Sequence, residues 1–119
     1  MATIKAYIDI SQSKTLSKIL PFESADMVYL KREINDTFIE TPIVKPEGGI
    51  SKSLPCWSLS ALLDVLPERT IDICYVPNLQ KENSKYSIAY GDDKLLCIAD
   101  NPVDACVAMI ERLHELNLL

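Results

Sequence analysis

The residues with the clearest chemical potential lie in "PCWSLSALLDVLP", residues 55 to 67, where Cys56 and the chain's only tryptophan, Trp57, stand directly before a helix-like run. A thiolate just ahead of a helix is stabilised by the positive end of the helix dipole, which lowers its pKa and makes it a nucleophile. Such a nucleophile needs a base. The chain offers one histidine, His114, in the last helical stretch. Residues far apart in sequence can meet in a fold, so a Cys56–His114 dyad would give a small thiol hydrolase.

The "PCWS" tetrapeptide superficially looks like papain-like proteases, in which a cysteine followed by an aromatic residue leads into a helix. The flanking glycine and second cysteine of that pattern are missing, and Pro67 ends the run after about two turns. A structural reading accounts for more of the letters. With Ser58 as N-cap, Trp57 precedes the cap and Leu62 is the fourth helical residue, the arrangement of a hydrophobic staple. Leu59, Leu62, Leu63 and Leu66 then form a one-sided stripe. Trp57 becomes an anchor and Cys56 its neighbour. His114, one turn after Glu111, reads equally well as a partly exposed residue at a helix end.

The remaining polar residues have local explanations. Cys56, Cys74, Cys97 and Cys106 contain no close pair and have a single histidine to accompany them, so no zinc pattern is present and reduced, apolar thiols are expected. Asp92 and Asp93 suit a turn, and Asp100 and Asp104 suit the start of a helix, which accounts for all four without a metal. The only glycines, Gly48, Gly49 and Gly91, do not form a phosphate-cradling loop. No metal and no cofactor are expected.

The totals narrow the options further. At 119 residues with 48% apolar and 24% charged side chains, the chain suits one folded domain rather than disorder. The longest apolar run, "ACVAMI" at 105 to 110, is far short of the roughly 20 residues that cross a bilayer. The opening "MATIKAYIDI" lacks the pattern of a secretory signal, and a cytoplasmic location is expected. Net charge is -5, and the excess acid falls in residues 61 to 119, which hold ten acidic and five basic groups. An acidic surface repels phosphate, so direct nucleic-acid binding is disfavoured. Mimicry of nucleic acid by aligned acids is a separate reading.

The best-specified element is "DNPVDACVAMIERLHELNLL". Asn101 caps, Pro102 takes the first helical position and Asp104 favours the positive end of the dipole. Val103, Cys106, Val107, Ile110 and Leu113 form the core stripe, while Asn117 suits a left-handed close with Leu118 folding back. Three strands are expected before it, at 70–76, 85–90 and 94–99, with a tight turn at "GDD" and a loop or long hairpin connection over "PNLQKENSK". In the first half, "MVYLKREI" and "TFIETPIV" flank Asn35 and Asp36 as an antiparallel pair. Pro42 puts the second strand at an edge or ends its pairing, and "KPEGGISKS" at 45–53 reads as a flexible segment.

Residues 15–30 and 61–76 align without gaps: Leu16 with Leu62, Leu20 with Leu66, Pro21 with Pro67, Asp26 with Asp72 and Tyr29 with Tyr75. Each copy reads as a short helix, a proline stop and a strand with an outward tyrosine or acid. Either two corners solve the same local problem, or a helix-strand-strand unit is duplicated. The expected fold is α+β: an antiparallel or mixed sheet of about five strands with three helices packed on one face.

The stretches "QSKTLSKILPFESADM", "LPCWSLSALLDVLP" and "ADNPVDACVAMIERLHEL" together resemble uncharacterised small proteins encoded in bacterial prophages and integrated mobile elements. The resemblance implies a setting and supplies no activity or site residue. Without a convergent acid, base, nucleophile or metal set, the leading expectation is a non-catalytic accessory or protein-interaction domain, with a protein partner or self-association. The alternatives are the Cys56–His114 thiol hydrolase and an acidic inhibitor of a nucleic-acid-binding protein.

Overall fold

The computed structural model describes residues 5–32, 34–46, 53–67, 77–90 and 95–119. Its first helix, α1 (Ile10–Leu16), starts where a capping box closes. Asp9 Oδ1 accepts from the Gln12 N–H at 2.7 Å, and Gln12 Oε1 accepts from the Asp9 N–H at 3.0 Å. The helix therefore begins five residues before the Thr15 start of the repeat alignment. Asp9 and Gln12, three apart, were the signal for it.

Strand β1 (Met27–Leu30) pairs on one side with the two-residue β2 (Ile43–Val44) and on the other with β3 (Ser53–Cys56), both antiparallel. The expected first-half hairpin is present at its tip. Arg32 N–H donates to the Thr37 carbonyl at 2.7 Å and Ile39 N–H to that of Leu30 at 2.8 Å. Asp36 adopts φ 54°, the left-handed region that a short Asx side chain tolerates. Around Pro42 the pairing lapses and β2 lies at the sheet edge, as a residue without an N–H requires.

Helix α2 (Leu59–Val65) has Ser58 as its N-cap, accepting from the Ala61 N–H at 3.3 Å. Trp57 and Leu62, the expected staple, are both fully buried. The stripe differs by one position: Leu63 is exposed, and Ala61 is buried. The second sheet is a meander of β4 (Pro77–Glu82), β5 (Lys85–Tyr90) and β6 (Leu95–Ala99), in the order β4-β5-β6. Helix α3 (Pro102–Glu115) follows with every expected cap. Asn101 accepts from the Asp104 N–H at 2.8 Å, Asn117 takes φ 59°, and Leu118 N–H reaches back to the Leu113 carbonyl at 2.9 Å.

The α+β class is present, and its sheet arrangement corrects the expectation of one five-stranded sheet. The described residues form two three-stranded antiparallel sheets. Two strands were not expected: β3, of which only Ser53 falls in the segment expected to be flexible, and β4, which lies in the stretch expected as a loop or long hairpin connection. Residues 53–56 carry Pro55 after a Gly-rich stretch, yet Met27 to Leu30 supply a pairing partner for all four. Residues 77–82 are polar because their outward side chains face solvent, while the two-residue Asn83–Ser84 turn, at φ 51° and 64°, folds them onto β5. The expected strand 70–76 and the "GDD" turn lie outside the described residues.

The helices also do not share one face. Helix α3 covers β5 and β6, α1 packs on β3, and α2 lies against α3. Buried side chains from both sheets and all three helices form one cluster, including Ile8, Leu16, Trp57, Ile88, Tyr90, Met109 and Leu113. In the repeat, Leu16 is the last residue of α1 whereas Leu62 is in the middle of α2, so aligned letters occupy different helical positions. Tyr29 is buried rather than outward. Its hydroxyl donates to the Ile8 carbonyl at 2.7 Å, a bond only the tertiary fold supplies.

Candidate functional site

Cys56, the first sequence candidate, closes β3 with 0% of its surface exposed. Its Sγ lies 3.6 Å from the Ile8 carbonyl oxygen as a donor. Burial raises the thiol pKa to about 11, and the neighbouring hydroxyls of Tyr29 and Ser13 act in the opposite, weaker sense. The sulfur is a protonated thiol at neutral pH. Among the described residues the Ser13 hydroxyl, also fully buried and next to Cys56, finds no partner in full hydrogen-bond geometry. His114 is exposed on the last turn of α3, and no hydrogen bond joins it to Cys56. Two residues separate Cys56 from the first turn of α2, and that turn is already capped. Ser58 donates its N–H to Asp26 Oδ1 at 3.0 Å and its hydroxyl to Asp26 Oδ2.

Of the other thiols, Cys106 is fully buried with a pKa raised by desolvation to about 11. Cys97 is half-buried on β6; desolvation raises its pKa and Arg112 opposes the rise. Cys74 lies outside the described residues. Among the described residues no three His, Cys, Asp or Glu side chains converge as a metal site would require.

Asp104 stands in the first turn of α3 as expected, whereas Asp100, also expected at the start of that helix, has a different partner. Asp100 pairs with Lys85 across the β5–β6 ladder. Asp104 Oδ1 accepts from Lys5 Nζ at 2.7 Å and from Gln12 Nε2 at 2.8 Å, and Oδ2 from Asn101 Nδ2 at 2.9 Å. This network joins the N-terminal segment, α1 and the start of α3. The described acids of the second half are spread over α2, β4, the end of β6 and α3, and Asp100, Asp104 and Glu115 each face a basic side chain.

What the structure adds is a surface. The outer face of the second sheet carries Gln80, Glu82, Lys85 and Ser87 around a depression of about 380 Å³, and on its β6 side stand Leu96 and Ile98. These two are 45% and 61% exposed. They are two residues apart on one strand and so point the same way, while Leu95, Cys97 and Ala99 turn towards α3. Burial of an isoleucine or leucine removes a side chain worth about 1.5–3 kcal/mol from water, so leaving two side by side in solvent forgoes a substantial stabilisation. The sequence marks "KLLCIA" as a strand but does not decide which of its alternate residues face inward.

Among the described residues the strand that carries them is also an edge, paired with β5 alone. Edge strands are usually protected by proline, charge or brevity. β2 has two residues next to Pro42, β3 contains Pro55, and β4 begins with Pro77 and carries Lys81 and Glu82. The five residues Leu95–Ala99 have none of these devices.

Comparison with protein-family models, with curated proteins and with solved structures finds no match.

Proposed function

We propose that this chain is a non-catalytic protein-interaction domain whose contact surface is strand β6 and the outer face beside it. The observation that carries the reading is a strand that, among the described residues, pairs with β5 alone and turns two aliphatic side chains, Leu96 and Ile98, to solvent. Backbone groups on an open edge give affinity to an added strand, and alternate side chains give it selectivity. The buried, protonated Cys56 is consistent with a structural sulfur, and its hydrogen bond to Ile8 ties β3 to the N-terminal segment.

The resemblance of three stretches to prophage and mobile-element proteins supports an accessory role among phage-related genes. Among the described residues no helix is long and apolar enough to cross a membrane.

The test is capture from the native cells with tagged wild-type chain and with a Leu96→Glu/Ile98→Glu variant in parallel. A protein retained by the wild type and lost with the variant is the expected result. Identical sets of captured proteins from both would end the assignment of this surface. Because both positions are exposed, the variant should keep its far-ultraviolet circular dichroism.

A further inference from the structure

Residues 5–9 cross the end of β3 before α1 begins, and unlike bonds hold their two ends. At the inner end Ile8 is fully buried, and its N–H donates to the Trp57 carbonyl at 3.2 Å. Its own carbonyl accepts from the Tyr29 hydroxyl at 2.7 Å and from Cys56 Sγ at 3.6 Å. At the outer end Lys5 Nζ donates to Gln12 Oε1 at 2.8 Å and to Asp104 Oδ1 at 2.7 Å, with Asp9 Oδ2 3.6 Å away. Between the two ends lies an isolated bridge of Tyr7 with Ser58, flanked by the Leu59 N–H donating to the Ala6 carbonyl at 3.0 Å.

This attachment is thin. An isolated bridge fixes fewer backbone groups than a ladder does, and Ile8 is the one fully buried side chain of the five. The Lys5 and Asp104 side chains are 27% and 37% exposed, so solvent weakens their pair. A depression of about 480 Å³ runs along the segment, walled by residues 5–9 on one side and by Tyr29 and Glu40 on the other. The capping box of α1 closes within residues 9–12, so α1 keeps its start when the residues before Asp9 lift away. Segments with few buried apolar contacts and solvent-facing bonds open at a lower free energy than the whole chain.

We propose that residues 5–9 form a strap that opens as a unit about Asp9, and that the clip of Lys5 to Asp104 and Gln12 sets how often the Cys56 thiol beneath it meets solvent. Opening removes the Ile8 carbonyl from Cys56 Sγ and from the Tyr29 hydroxyl, and uncovers the Ser13 hydroxyl beside the sulfur. Cys106 is as fully buried as Cys56 but lies within α3, so it is exposed only by a wider unfolding. The strap belongs to the chain alone, whatever meets β6.

The experiment compares these two thiols in the purified full chain at pH 8. Iodoacetamide alkylates a thiolate with loss of iodide, so the rate at each buried cysteine reports how often that sulfur is exposed. Peptide mapping by mass spectrometry reads both rates at a series of urea concentrations below the unfolding transition. Cys56 should react faster than Cys106, at a rate nearly independent of urea, while the Cys106 rate should climb steeply as more surface is exposed in its opening. Lys5→Ala should speed Cys56 about tenfold, as expected for loss of a charge-assisted hydrogen bond that the open strap does not make. Ile88→Val, a conservative change in the core of the second sheet, should speed Cys106 about fivefold and leave Cys56 unchanged, because that packing persists when the strap is open. A Cys56 no faster than Cys106, or as steep in urea, would overturn the proposal. So would a Cys56 rate indifferent to Lys5→Ala, or one raised by Ile88→Val as much as that of Cys106.

Discussion

The indole Nε1 of Trp57 donates to the hydroxyl of Ser24 at 3.0 Å, so the residue that precedes α2 is bonded to the 3-10 turn Phe22–Ser24 that leads into β1. The ring itself is fully buried among residues of all three helices. One side chain thus fixes the start of a helix, the start of a strand and the centre of the core. Next to it, Asp26 holds Ser58 by two hydrogen bonds, which places the N-cap of α2 against the beginning of β1.

Removing the ring should therefore cost more than removing its bond. Trp57→Ala should destabilise the chain by about 3–5 kcal/mol, the range for truncating a buried aromatic side chain. Ser24→Ala, which deletes only the acceptor, should cost about 1 kcal/mol. Trp57→Phe should fall between the two. Urea unfolding followed by circular dichroism measures all three, and a Trp57→Ala variant as stable as Ser24→Ala would show that the ring does not anchor the core.

Thiol reactivity should follow burial rather than proximity to a helix. In dilute native solution at pH 8, a disulfide reagent should modify Cys97 ahead of Cys56 and Cys106, both fully buried and both raised to about 11 by burial. The two buried thiols should react only through opening of the structure, slower than a free thiol by about a thousandfold or more. Peptide mapping of partly modified protein gives the order. Modification of Cys56 before Cys97 would restore the reading of Cys56 as a nucleophile.

The network around Asp104 should make stability depend on acid. Burial alone would raise the Asp104 pKa, but the hydrogen bonds from Lys5, Gln12 and Asn101 outweigh it and hold the carboxyl below its ordinary value. A carboxyl depressed in the folded state contributes stability above the unfolded pKa, about 3.9, and loses it as pH falls through the lower folded value. Asp104→Asn should thus flatten the acid limb of the stability curve below about pH 4 relative to the wild type. Equal loss of stability in both proteins between pH 5 and pH 2 would show that the network adds nothing. Because the carboxylate is more than a third exposed, solvent screening keeps the effect small.

Much of the chain was legible before folding because its determinants are local. The N-caps Ser58 and Asn101, the proline at the first position of α3, the left-handed Asn117 and the alternation in 85–90 each depend on neighbours within about one turn or one strand. Local geometry is written in adjacent letters. The helix α1 was legible too, in Asp9 and Gln12, but the leucines at 16 and 20 drew attention further along.

Strands β3 and β4 depended on something else. Residues 53–56 and 77–82 have weak strand character alone, and they are strands because β1 and β5 offer each a complete row of hydrogen-bond partners. The same holds for the functional surface. The letters of β6 give an apolar pentapeptide, and only packing of α3 on one side decides that Leu95 and Cys97 turn inward while Leu96 and Ile98 are left in water. Composition set how much apolar surface the chain possesses; the arrangement of the two sheets decided which part of it stays uncovered, because burial is a property of neighbours and not of residues.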